Sequence, residues 1–62
     1  GMIFKINDKV RILSSGKTGR VCDITTDNGV RYYTVDCYDD VPCACMAAAV
    51  FTVPEPDLDF TD

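Results

Sequence analysis

The sequence predicts an all-β domain in which five short strands wrap into a small barrel, with one short helical turn before the last strand. Three observations carry this. Apolar and polar residues alternate at Lys9-Val10-Arg11-Ile12 and again from Tyr32 to Tyr38, the period-2 signature of strands buried on one face. Gly16, Gly19 and the pair Asn28-Gly29 punctuate these runs with turn signals. The only run that favours helix over strand is the short Ala47-Ala48-Ala49.

Taken in order, Val10 and Ile12 point to one side of the first strand while Lys9 and Arg11 point to the other. Gly16 and Gly19 supply backbone conformations that a side chain would resist, and the chain returns along Arg20 to Thr26. Val21 and Ile24 are out of phase with strict alternation, so a bulge at Cys22 or Asp23 is required to reconcile them. Asn28-Gly29 between two strand-like runs is the strongest short-range hairpin signal, which makes the second and third strands antiparallel neighbours. On the third, Tyr33, Val35 and Cys37 share one face, and Tyr32, Thr34, Asp36 and Tyr38 share the wet one. Asp39-Asp40-Val41-Pro42 reads as a turn, Cys43 to Met46 as a short fourth strand, and the alanines as the helical turn. Phe51-Thr52-Val53 resumes extended structure and is expected to close the sheet against the first strand. Val10, Ile12, Val21, Tyr33, Val35 and Val50 form the expected core. The barrel thus occupies residues 1–54, and residues 55–62 form an acidic, Pro-containing mobile tail with Leu58 and Phe60 as its apolar anchors.

The stretch from Asp8 to Val21 resembles the opening of the KOW motif and, more broadly, of the small SH3-like barrels of bacterial proteins. Their pattern runs hydrophobic, Gly-Asp, Val, basic, Val or Ile, turn, Gly, Lys, x, Gly, x, Val. Here Asn7 stands where the pattern has its first glycine, and asparagine also tolerates left-handed backbone. The resemblance continues through Tyr33-Thr34-Val35-Asp36, where such barrels carry a central strand, and through Ala47-Ala48-Ala49-Val50, where they carry a helical turn. It implies a five-stranded SH3-like barrel. That fold hosts many unrelated functions, so the resemblance implies architecture first.

A chain of 62 residues holds one domain, and a domain of this size buries only about 60% of the surface its unfolded chain exposes. Gly1 before Met2 reads as the remnant of a removed tag, and no leader or membrane-length apolar run follows; a cytoplasmic protein is the expectation. The net charge is −4, yet all six basic residues (Lys5, Lys9, Arg11, Lys17, Arg20, Arg31) precede seven of the ten acids. In a hairpin, Lys9, Arg11, Lys17 and Arg20 can share one outer surface as an anion-binding stripe.

Catalytic and metal chemistry find little footing. Histidine is absent, and Cys22, Cys37, Cys43 and Cys45 lack the paired spacing of a zinc site. Free thiols acting as small hydrophobes are expected, with no cofactor and no metal. Gly16-Lys17-Thr18 suggests a phosphate loop, but Arg11 stands where that motif needs its first glycine, and the following residues read as strand rather than helix.

The expected function is therefore non-enzymatic binding of a protein or peptide partner. Candidate contact residues are Tyr32 and Tyr38, aromatic groups with polar tips on an exposed strand face, together with Arg11, Lys17 and Arg20. The alternative is RNA or ribosome association through the basic first hairpin, as the KOW resemblance implies. Overall acidity opposes it, because nucleic-acid affinity is dominated by phosphate neutralisation.

Overall fold

The computed structural model of the chain describes residues 3–37 and 49–61. Among these residues the strands are β1 (Lys9–Ile12), β2 (Thr18–Asp27), β3 (Val30–Asp36), β4 (Val50–Pro54) and β5 (Leu58–Phe60), with a 3-10 turn, Glu55–Asp57, before the last. They form one open antiparallel sheet in the order β4-β3-β2-β1-β5.

Local chemistry explains the hairpin at its centre. β2 and β3 are joined by Asn28 and Gly29 alone, at φ 52° and 78°, the doubly left-handed backbone that a two-residue turn needs to match strand twist. Asn7 also adopts φ 77°. It lies in a tight turn where the Lys5 N–H donates to Asp8 Oδ2 (2.8 Å) and the Asp8 N–H to the Lys5 carbonyl (3.0 Å). The β2–β3 register slips between Val21 and Asp23; the extra residue is Cys22, as the broken alternation requires.

Among the described residues the buried side chains are all apolar in class. Phe4, Val10, Ile12, Val21, Tyr33, Val35, Cys37 and Leu58 form the buried cluster, with Ile24, Phe51 and Val53 packed against it. Phe4 meets Tyr33 edge-on, with centroids 5.2 Å apart and planes at 86°, a geometry that adds about 0.5–1.5 kcal/mol beyond simple burial.

Four expectations are corrected. Val50 is exposed, because it pairs with the outward-facing Asp36; Ala49, whose carbonyl accepts from the Cys37 N–H at 2.7 Å, is buried in its place. Phe51–Val53 lies in β4 and pairs with β3 instead of β1. The strand that pairs with β1 is β5, drawn from the segment expected to be a mobile tail. Gly19 needs no unusual φ: it sits within β2 so close to β3 that an added Cβ would overlap the Asp36 carbonyl and lie 2.9 Å from Cys37 Sγ. The expected turn at Asp39 to Pro42, the fourth strand at Cys43 to Met46, and Ala47 and Ala48 of the expected helical turn lie outside the described residues. Among the described residues, the helical turn before the last strand is Glu55–Asp57.

Candidate interaction face

Sheet pairing sorts the candidate side chains onto two sides. On the outer side, the row Asp36, Arg20, Lys9 crosses β3, β2 and β1, and the row Thr18, Arg11, Asp59 crosses β2, β1 and β5. Further along β3, Thr34 lies between Asp23 and Thr52, and Tyr32 between Thr25 and Pro54. The Thr34 and Thr52 hydroxyls hydrogen-bond each other at 2.9 Å. The outer face is therefore a corner of three cations flanked by Asp36 and Asp59, a middle of threonines with Asp23, and an aromatic end, with Tyr32 and Asp36 four residues apart on one strand, about 13 Å.

Of the residues singled out in the sequence, Arg11 and Arg20 come together on this face and Lys9 joins them. Lys17 does not. Its carbonyl accepts from the Ile12 N–H at 2.8 Å, so it lies opposite Ile12, in the phase of the buried side. The expected four-residue stripe is a triplet because strand parity separates Lys17 from Arg20. Arg20 Nη1 donates to the Asn7 carbonyl at 3.0 Å, tying the guanidinium to the turn before β1. Tyr32 is half-buried at the aromatic end, and Tyr38 lies outside the described residues.

Two polar clusters escaped the sequence reading because their partners are far apart in the chain. Tyr33, fully buried, donates its hydroxyl to Glu55 Oε2, which also lies 3.5 Å from Arg31 Nη1. Burial, reinforced by the hydrogen bond to Glu55, pushes the Tyr33 phenol above its ordinary value. The hydrogen bond with Tyr33 moves Arg31 upward as well, against desolvation, with the nearby Tyr33 and Glu55 charges adding to the rise. In the second cluster, Ser14 donates its N–H to Asp57 Oδ1 (2.9 Å) and its hydroxyl to Oδ2 (2.6 Å), while the Leu13 N–H donates to the Asp57 carbonyl (2.8 Å). These bonds fasten the β1–β2 loop to the 3-10 turn, a structural role rather than a reactive one.

Cys22 is a thiol exposed on the bulge, so it does not pack as a small hydrophobe; Cys37 is a buried thiol. Cys43 and Cys45 lie outside the described residues. Among the described residues no helix is long and apolar enough to cross a membrane. Comparison of the chain with protein-family models, with curated proteins and with solved structures finds no match.

Proposed function

We propose that this chain is a non-enzymatic interaction module of the SH3-like barrel kind that binds a protein or peptide partner on the outer face of its sheet. The barrel reading is supported by the pairing of the last strand with the first and by the helical turn immediately before it. The non-enzymatic reading rests on composition: the chain has no histidine, and among the described residues the exposed thiol, Cys22, sits on the bulge between Val21 and Asp23.

The observation that carries the binding reading is the pairing of Tyr32 with Pro54 on adjacent strands, at one end of a solvent-facing surface whose other end is cationic. An aromatic ring beside a proline gives a partner an apolar foothold, and the charges and hydroxyls beyond it provide direction. Charge placement favours a protein over RNA. Asp36 and Asp59 occupy the positions across from Arg20 and Arg11, so the surface lacks the uninterrupted basic stripe that phosphate neutralisation requires.

Selection of peptide ligands from a random displayed library, followed by amide-shift mapping on the labelled chain, tests this. Shifts confined to Tyr32, Thr34, Thr52 and the Lys9–Arg11 end, with affinity reduced at least tenfold by Tyr32→Ala, are expected. Shifts that map to the opposite side of the sheet refute it.

A further inference from the structure

Lys9 and Arg20 are directly opposite each other on β1 and β2, and like charges in that position destabilise a sheet. Arg11 follows Lys9 by two residues on the same exposed phase. Among the described residues no carboxylate comes within ion-pair distance of Lys9, Arg11 or Arg20. Among the described residues this repulsion is met by no ion pair, and its nearest compensation is Asp36 across from Arg20 and Asp59 across from Arg11. Arg20 is also held in place by the Asn7 carbonyl, so a ligand meeting it loses less side-chain freedom.

The acids around the triplet set the shape of what can relieve it. Asp36 bounds it on β3 and Asp59 on β5, leaving a cationic strip two strands wide, with neighbouring strands about 5 Å apart. A broad polyanion laid across the sheet would bring its charges over these two carboxylates. A single extended chain running along β1 would not. In such a chain alternate residues are about 6.7 Å apart, the same spacing that separates Lys9 from Arg11 on their own strand.

From this we infer that the partner is an acidic extended peptide segment, with carboxylates on alternate residues, lying along β1 over Lys9, Arg11 and Arg20. The inference rests on the outer face being the binding face. It names the partner's chemistry and the direction in which its chain runs.

The test titrates the full chain with a nine-residue peptide alternating Asp and Thr, with its Asn-for-Asp counterpart, and with an oligouridylate of similar length. The acidic peptide is expected to bind at least tenfold more tightly than the Asn peptide, with an affinity that falls as salt is added. Lys9→Glu is expected to weaken that binding at least tenfold while raising the melting temperature, since it turns the Lys9–Arg20 repulsion into attraction; a gain in stability rules out unfolding as the cause of lost binding. Equal affinity for the two peptides, with both sensitive to Tyr32→Ala, overturns the acidic-partner inference and leaves the outer-face reading standing. Binding of the oligouridylate alone, abolished by Lys9→Glu, overturns both. Failure of every probe to bind overturns the acidic-partner inference, as does a lowered melting temperature in Lys9→Glu.

Discussion

Replacing Gly19 by alanine should be the most damaging one-carbon change in this protein. Gly19 lies in β2 opposite Val10 of β1, and β3 closes over it from the other side. An alanine Cβ there would overlap the Asp36 carbonyl oxygen and lie 2.7 Å from its carbon and 2.9 Å from Cys37 Sγ. Two of those three atoms are main chain in the paired end of β3, so no rotamer change makes room. The strands must separate where Arg20 pairs with Asp36, or β3 must bend. Overpacking costs typically 1–3 kcal/mol, and the unyielding neighbours put this case near the upper end, about 3 kcal/mol. A chain of 62 residues has roughly 3–9 kcal/mol of stability in all. At roughly 4–8 °C per kcal/mol for a domain this small, the melting temperature should fall by about 12–24 °C. Gly16→Ala is the control: its φ is 77° and nothing lies within 4 Å of the added carbon, so only backbone strain of about 1–2 kcal/mol applies. Thermal unfolding followed by circular dichroism compares the two. A Gly19→Ala protein that melts within a few degrees of the parent, or above Gly16→Ala, refutes the close-approach argument.

Three further outcomes are expected. Val35→Asp, which places an unpaired carboxylate in a fully buried position, should abolish the cooperative thermal transition, because the burial penalty of several kcal/mol matches the whole stability. The raised Tyr33 phenol contributes stability that is complete below the unfolded tyrosine value of about 10 and is lost as pH rises through the higher folded value. Melting temperatures measured from pH 8 to 12 should therefore fall less steeply in Tyr33→Phe than in the parent, and parallel curves would exclude the effect. Deleting Leu58 to Asp62 removes a strand paired with β1 and a buried leucine, worth about 2–5 kcal/mol for the leucine side chain alone; chemical denaturation should show a largely unfolded protein, and an unchanged midpoint would return this segment to the status of a tail.

What the sequence by itself determined is what neighbouring residues decide together. Alternation at Val10 and Ile12 and at Tyr33, Val35 and Cys37 named buried positions because side chains on a pleated strand must alternate, and all five are buried. Asn28-Gly29 specified its turn because few other pairs accept two left-handed residues in succession, and the phase break between Val21 and Ile24 specified the bulge. The tertiary structure decided whatever depends on a distant partner. Val50 is exposed because its pairing with Asp36 transmits the outward phase of β3 to β4, and shifting that register by one residue would have buried it. Glu55 to Phe60 reads locally as an acidic, proline-broken tail. Its ordering comes from residues met only in space: Asp57 finds the N–H and hydroxyl of Ser14, 43 positions earlier, Glu55 finds Tyr33, and Leu58 pairs with Ile12. The candidate face divides in the same way. Arg11 and Lys9 share a side by strand parity alone, whereas Arg20's place opposite Lys9, Lys17's exclusion and the meeting of Tyr32 with Pro54 follow from registers that no local pattern encodes.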